Sequence, residues 1–249
     1  MIKEQRFDFI LNELREHEQV TYEMLAASLL VSEDTIRRDI DQLYRNGLLS
    51  KIRGGAMLPS KNPLTFRDRS GFLCEQKNII ALKAIPFLKS GMTVFMDGGT
   101  TICTLAKVLP ADLSIRVITN NQPLVPILDA YRHIEIIVLG GVYDRGTATN
   151  TGTITCREAE HYMADLYLMG TCGIDDQFGI TCTIEPESHV KRTMMRHARQ
   201  TMSLSNHNIL HRNKNFRVCA FDEIDVLITD LESDHADLDA FRNQGVQLV

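Results

Sequence analysis

One segment near the N-terminus constrains the fold most, because its apolar residues recur at the period of a helix. Val31, Ile36, Ile40 and Leu43 follow a repeat of about 3.6 residues and predict a helix with one buried stripe. Polar residues that suit phosphates and base edges lie off this stripe: Thr35, Arg37, Arg38 and Gln42. The segment therefore predicts a recognition helix for a nucleic acid.

A basic hairpin is predicted directly after this helix. Asn46-Gly47 is a pair typical of a helix end. Leu49, Lys51, Ile52 and Arg53 then alternate in polarity before Gly54-Gly55, which predicts a short strand and a tight turn that carry cations. Such a wing could touch the DNA backbone or the minor groove.

Two more helices are predicted upstream. Apolar residues at helical spacing predict one over Lys3–His17, and Thr21 is a suitable N-cap for a second. Ser32 is a suitable cap for the recognition helix. Three helices and a hairpin predict a winged helix-turn-helix, and the alternative is a small helical bundle that only mediates dimerisation.

The net charge of -5 argues against a general affinity for nucleic acids. DNA contacts must then come from a local cluster, in which the acidic neighbours Glu33, Asp34, Asp39 and Asp41 limit non-specific binding. The predicted DNA-binding residues are Thr21, Ser32, Glu33, Asp34, Thr35, Arg37, Arg38, Gln42, Lys51 and Arg53.

Length and composition predict one small module and one larger one, since the chain has 249 residues and 44% hydrophobic content. The six cysteines show no CxxC spacing, and His207 and His211 lack a third metal ligand, so neither a metal site nor a cofactor is predicted. No apolar run approaches the roughly 20 residues of a membrane helix, and no signal peptide is evident, which predicts a cytoplasmic protein.

Residues 76–249 are predicted to form an α/β domain with a mainly parallel sheet, joined to the first domain (1–57) by a linker (58–75). Strands and helices alternate in this part, a pattern typical of a sheet covered on both faces. Strands are predicted at 92–96, 115–119, 134–139, 166–170, 201–205 and 226–229, and helices at 77–88, 101–109, 123–131, 157–163 and 187–199.

Several predicted strand ends carry residues suited to a polar ligand. Asp97-Gly98-Gly99-Thr100-Thr101 joins a strand to a helix, where free N–H groups and hydroxyls could hold an anion, or the turn could simply be tight and capped. Thr119-Asn120 and Gly140-Gly141 follow neighbouring strands, which favours one pocket at the carboxyl edge of the sheet. Asp175 could bind sugar hydroxyls or cap a turn. Glu187 and Lys191 could be a surface ion pair or face the ligand.

The run Val31-Ser32-Glu33-x-Thr35-Ile36-Arg37-Arg38-Asp39-Ile40, with Gly54-Gly55-Ala56, resembles the signature of the DeoR family of bacterial transcriptional regulators. The resemblance extends over nearly the whole chain and implies a sensor domain with a fold like that of ribose-5-phosphate isomerase. It implies a homodimeric or homotetrameric repressor of a carbohydrate-utilisation operon that binds operator DNA and a phosphorylated sugar. The effector residues it implies, together with the loop above, are Asp97, Gly98, Gly99, Thr100, Thr101, Thr119, Asn120, Gly140, Gly141, Gly152, Gly173, Asp175, Glu187 and Lys191.

The chain departs from the family pattern in the predicted sensor. Cys172 stands where a polar or acidic residue is common, Ile184 and Pro186 precede Glu187, and Asn206 and Ile209 replace an acid and a lysine. The alternative function is an enzyme, a sugar-phosphate isomerase or deaminase, which would need a positioned acid and base. The lost acid and base weigh against that alternative and leave a non-enzymatic regulator as the expectation.

Overall fold

The computed structural model describes residues 2–45, 48–57 and 65–249. The chain divides into two compact units, residues 1–74 and residues 75–249. The helix-ending pair Asn46-Gly47 and residues 58–64 of the expected linker lie outside the described residues. The limits 1–57, 58–75 and 76–249 stay a prediction.

The first unit is a three-helix domain with a small antiparallel sheet, as predicted for a winged helix-turn-helix. Its helices pack on a buried apolar cluster that includes Ile10, Leu25 and Leu43. The sheet has the order β1-β3-β2, so the hairpin gains a third strand that the sequence pattern did not predict. The elements are α1 Lys3–His17, β1 Gln19–Thr21, α2 Tyr22–Leu29, α3 Glu33–Arg45, β2 Ser50–Ile52 and β3 Gly55–Met57.

Local caps define the turn between α2 and α3. The Thr21 Oγ1 accepts a hydrogen bond from the Met24 N–H at 3.1 Å and begins α2. Leu30 ends α2 in the left-handed conformation, with φ of 53°. Ser32 Oγ then accepts from the Thr35 N–H at 3.3 Å. The turn is therefore short, and both predicted caps are confirmed.

The expected linker contains regular structure. Residues 66–70 form α4 (Phe66–Ser70), because Thr65 Oγ1 caps its first turn through the Asp68 N–H at 3.3 Å. The next helix, α5 (Cys74–Ala84), begins three residues before the predicted start and is followed by a 3-10 turn at Ile85–Phe87. The sequence pattern did not predict these helical residues within the expected linker.

The second unit is built on a seven-stranded parallel sheet of order β15-β14-β12-β9-β4-β5-β6. The central strand β9 is buried along its whole length, as a parallel strand covered on both faces must be. The strands are β4 Thr93–Met96, β5 Arg116–Thr119, β6 Glu135–Val138, β9 Leu166–Gly170, β12 Thr201–Leu204, β14 Val226–Ile228 and β15 Gln247–Leu248. The predicted mixed α/β class with a mainly parallel sheet is confirmed.

Helices connect these strands, with boundaries that differ from several predictions. They are α6 Thr100–Lys107, α7 Val125–Leu128, α8 Thr153–Ala159 and α9 Glu185–Arg196. The helix predicted at 157–163 begins four residues earlier because Gly152, with φ of 98°, is its N-cap. The helix predicted at 123–131 is a 3-10 turn, Gln122–Leu124, followed by one turn of α-helix.

Two small antiparallel sheets were not predicted. The first is a hairpin of β7 (Val142–Asp144) and β8 (Thr149–Thr151). The second has the order β10-β11-β13, with β10 Gly173–Asp175, β11 Gly179–Cys182 and β13 Phe216–Cys219. Their strands are short and rich in Thr, Gly and Cys, so they lack the apolar alternation that marks longer strands. No described helix is long and apolar enough to cross a membrane.

Candidate nucleic-acid interface and effector site

The recognition helix α3 has one buried and one exposed face. Ile36, Ile40 and Leu43 are fully buried against α1 and α2. The side chains on the other face of this helix, which was predicted to recognise DNA, are exposed. They are Glu33, Asp34, Arg37, Arg38 and Gln42.

The two adjacent arginines have different surroundings. Arg37 lies 3.6 Å from Glu33 in an i,i+4 ion pair and stacks over the Tyr22 ring at 5.3 Å. Arg38 is exposed and forms no ion pair with any residue in the described ranges. Arg38 is therefore the more available of the two for a phosphate or a base.

The wing carries its cations on β2 and its turn. Lys51 pairs with Asp41 of α3, and this hydrogen bond raises the pKa of the Lys51 amine against the opposing effect of burial. Arg53 is exposed in the β2–β3 turn, next to Gly54 with φ of 83°. The turn thus presents an exposed cation beside a glycine that permits the left-handed conformation.

One acid of the recognition helix has a structural role. Asp39 is buried and accepts two bonds from the Arg6 guanidinium, at 2.6 and 3.0 Å. This bidentate pair joins α1 to α3. Asp39 therefore contacts Arg6 inside the domain and is not exposed, unlike Glu33 and Asp34. The Thr21 hydroxyl, placed among the DNA contacts, is used as the cap of α2.

The second unit holds a buried ionic cluster at the carboxyl edge of its sheet. Asp97 follows β4 and accepts from the Tyr167 hydroxyl at 2.6 Å, from the Lys191 ammonium at 2.5 Å and from the Gly170 N–H at 2.7 Å. Three donors around one carboxylate hold it in a fixed orientation. Burial nevertheless raises the pKa of Asp97, although Lys191 opposes this.

Lys191 bridges two acids from within α9. Its Nζ donates to the Gly170 carbonyl at 2.6 Å and lies 3.3 Å from Glu187 Oε1. Burial disfavours its charge, but Asp97 and Glu187 outweigh this effect and raise the pKa of its amine. The interpretation of Glu187 and Lys191 as a surface ion pair is excluded, because both are buried.

Three buried acceptor atoms near this edge have no hydrogen-bond partner within the described residues: Asn120 Oδ1, Asn121 Oδ1 and Glu187 Oε2. Asn120 follows β5 and donates its amide to the Asn150 carbonyl at 2.8 Å. Asn121 donates to the Asp97 carbonyl at 3.0 Å. Unsatisfied buried acceptors are costly, so their grouping indicates a place where donor groups can bind.

The loop between β4 and α6 lies against this cluster. Gly99 is the N-cap of α6 with φ of 140°, a conformation that favours glycine. A Cβ on Gly98 would lie 2.5 Å from Thr149 Cγ2 and 3.9 Å from Glu187 Oε1. The backbone therefore approaches β8 and α9 closely only because residue 98 is a glycine. Thr100 and Thr101 are buried in the first turn of α6.

Other predicted effector residues serve local structure. The Gly140 N–H donates to Glu158 Oε2 at 2.6 Å, and its carbonyl accepts from the Thr155 hydroxyl at 2.6 Å. The Thr119 hydroxyl donates to the Met96 carbonyl at 2.5 Å and so ties β5 to β4. Gly141 has φ of 128° before β7, and Gly152 caps α8.

Gly173 and Asp175 were expected at the end of a parallel strand, but the structure places them in a different sheet. The parallel strand β9 ends at Gly170, and residues 173–175 form β10 of a separate antiparallel sheet. Asp175 Oδ1 accepts from the N–H groups of Gln177 and Phe178 at 2.9 and 3.0 Å. It caps the β10–β11 turn, the alternative favoured by its sequence context.

Sequence reasoning missed three members of the cluster: Tyr167, Thr149 and Gly170. Tyr167 is the only hydroxyl in the otherwise apolar run Leu166-Tyr167-Leu168-Met169-Gly170. A buried tyrosine hydroxyl requires a partner, and this is the signal that could have identified it. Thr149 was missed together with its hairpin. The assignment of individual residues to DNA or effector binding stays a prediction.

Comparison with known proteins identifies the family. Residues 6–62 match the DeoR-like helix-turn-helix domain, and residues 74–231 match the DeoR C-terminal sensor domain. The chain belongs to the DeoR family. The chain is also 33% identical to the HTH-type transcriptional repressor GlcR of Bacillus subtilis (strain 168), over its whole length and 96% of that protein.

Other similar proteins include the glycerol-3-phosphate regulon repressor of Escherichia coli (strain K12), which is 27% identical over the whole DeoR-family chain and 99% of the repressor. Among solved structures, ribose 5-phosphate isomerase A from Methanocaldococcus jannaschii covers 54% of this chain, with 53% of its own length matched. Its TM-score is 0.40 and its identity is 14%.

Proposed function

We propose that this DeoR-family protein is a repressor of a carbohydrate-utilisation operon, acting in the cytoplasm on operator DNA. In this proposal a homodimer or homotetramer inserts two α3 helices into successive major grooves, and a phosphorylated sugar bound by the second unit alters operator affinity. Family membership and the repressor names of its relatives support this proposal.

The observation that carries the DNA part is the exposed polar face of α3. Its N-terminal residues, Asp34 and Thr35, are those that reach base edges when such a helix enters a major groove. Arg38 and Arg53 suit phosphates, which fix register without reading sequence. Arg37 is held over Tyr22, and this contact could orient its guanidinium towards a base.

The buried cluster supports the effector part of the proposal. A phosphorylated sugar combines an anion with several hydroxyl donors. The N-terminus of α6, with Gly99, Thr100 and Thr101, suits the phosphate. The unpartnered acceptors on Asn120 and Glu187 suit hydroxyl donors, because two acids share the single ammonium of Lys191 there.

Fluorescence anisotropy with DNA from upstream of the protein's own gene tests both parts. Arg38→Ala should weaken binding about tenfold, since a charged phosphate or base contact contributes about 1 to 3 kcal/mol. Arg199→Ala is the matched control, because Arg199 is exposed in the second unit. Hexose and triose phosphates should change the operator affinity, whereas the unphosphorylated sugars should not. Equal binding by both variants would contradict the proposed interface.

A non-enzymatic role fits the contacts of Lys191. Its ammonium is committed to Asp97, Glu187 and the Gly170 carbonyl, so it is not available as a free acid or base. Incubation with aldose and ketose phosphates should give no isomerisation. Turnover that is lost in Glu187→Gln would favour the enzyme instead.

A further inference from the structure

Two cysteines lie at the same end of a pair of antiparallel strands: Cys182 is the last residue of β11, and Cys172 directly precedes β10. The register of β10 and β11 pairs Gly173 with Thr181 and Ile174 with Ile180. One step further in this register sets Cys172 opposite Cys182. Residues directly opposed in such a pair have Cα atoms about 4.5 to 5.5 Å apart, which lies within the span of roughly 4.4 to 6.8 Å that a disulfide requires.

Both side chains lie on the same face of this strand pair. Residues two apart on a strand share a face, so Cys172 lies with Ile174 and Cys182 with Ile180. Ile174, Ile180 and Cys182 are all buried in one apolar cluster, and Cys172 packs against that cluster. Both cysteines therefore border the same apolar cluster at the same end of the strand pair.

The two thiols differ in accessibility and charge. Cys172 is partly exposed and interacts electrostatically with the Lys191 ammonium. Cys182 is fully buried, and this burial raises the pKa of its thiol to about 12. An oxidant therefore reaches Cys172 first, and Cys182 is placed to attack the oxidised sulfur.

We propose that Cys172 and Cys182 form a reversible disulfide when the protein meets a peroxide. The Cys172 thiolate attacks the O–O bond, gains one oxygen as a sulfenic acid and releases hydroxide. The Cys182 sulfur then attacks the Cys172 sulfur, the S–S bond forms, and the sulfenic oxygen leaves as water with the Cys182 proton. Two thiols lose two electrons, and the peroxide is reduced to water.

This site goes beyond the proposed function, since its chemistry does not depend on which effector binds. Disulfides in reducing compartments are usually transient and serve catalysis or redox sensing. Cys172 follows Gly170 by two residues, and the Gly170 carbonyl accepts from Lys191 Nζ, so the bond would form near the buried ionic cluster. Oxidation would thereby reach the same region as the proposed effector.

The test uses the full-length reduced protein treated with hydrogen peroxide, then alkylated, digested without reductant and analysed by mass spectrometry. Two of the six cysteine thiols should be lost, and a peptide pair joined through Cys172 and Cys182 should appear. Dithiothreitol should restore both thiols. Cys156→Ser, the matched control in α8, should give the same linked pair.

Two variants separate the two steps. Cys172→Ser should protect Cys182 from oxidation, whereas Cys182→Ser should leave a sulfenic acid on Cys172 that dimedone traps. If Cys182→Ser fails to fold, the peptide maps of the unaltered chain and of Cys172→Ser still test whether the disulfide forms. The proposal is overturned if peroxide leaves both thiols open to alkylation, links either to another cysteine, or oxidises Cys182 equally in Cys172→Ser.

Discussion

Replacing Lys191 with methionine should destabilise the second unit strongly. Methionine is also long and unbranched but lacks the ammonium that lies 2.5 Å from Asp97 and 3.3 Å from Glu187. The variant would retain two buried carboxylates with no cation between them. Removing one partner of a buried ion pair costs about 3 to 5 kcal/mol of stability. Because two acids rely on the Lys191 ammonium, we expect a loss near the upper end of this range.

The loss should depend on pH in a defined direction. Burial already raises the pKa of Asp97 above its ordinary value of 3.8, and Lys191 is the largest influence that lowers it. Without Lys191 the pKa of Asp97 rises further, so the folded variant holds a proton on Asp97 that the unfolded chain releases. Its stability is therefore retained below the ordinary carboxyl range and falls as pH rises through the raised pKa. The loss should be smaller at about pH 5 than at neutral pH.

Urea unfolding followed by circular dichroism measures this effect. Lys89→Met is the matched control, because Lys89 is exposed, and it should change the free energy of unfolding by less than about 0.5 kcal/mol. Adding Asp97→Asn to Lys191→Met should recover part of the loss, since one of the two uncompensated charges is removed. A loss under about 1 kcal/mol at both pH values would refute the view that Lys191 neutralises this cluster.

Three further substitutions test local parts of the structure. Thr21→Ala removes the cap of α2 and should cost the first unit about 1 kcal/mol in thermal melting, while Thr21→Ser should stay near the unaltered chain. Asp39→Asn removes the buried carboxylate that contacts Arg6 and should cost roughly 3 kcal/mol; an unchanged melting temperature would contradict this. Gly98→Ala brings a Cβ to 2.5 Å from Thr149 Cγ2 and should cost about 1 to 3 kcal/mol in urea unfolding. Adding Thr149→Ser, which removes that methyl group, should restore stability, and failure to do so would show that the clash lies elsewhere.

The first unit could be predicted closely because its signals are local. The bounds of α1 follow from apolar spacing, and the start of α2 follows from a threonine cap that acts within one turn. The strand β1 was missed because Gln19–Thr21 is identified as a strand by its pairing with β3 and not by its own residues. The sequence of a three-residue strand carries too little information to predict its pairing with a strand more than 30 residues away.

The buried ionic cluster shows the limit of prediction from the sequence. Asp97 and its glycine loop could be found because a strand, two glycines and a helix follow one another directly. The spacing of Glu187 and Lys191 is the same for an exposed pair and a buried one. What distinguishes them is the bond from Lys191 to Asp97, 94 positions away in the chain. Long-range placement of this kind depends on how the strands are ordered in the sheet.

The contact between Lys51 and Asp41 gives the wing a counterion of its own. When a cation of a protein binds a DNA phosphate, the salt dependence of binding normally steepens by about 0.9 per phosphate, because a condensed ion leaves the DNA. If Lys51 moves to a phosphate, Asp41 loses its partner and is screened by ions from solution, which offsets part of the ion release from the DNA. Arg38 and Arg53 carry no such partner in the described residues and should contribute in full. The number of phosphate contacts calculated from the salt dependence of affinity would then be lower than the number that the interface makes.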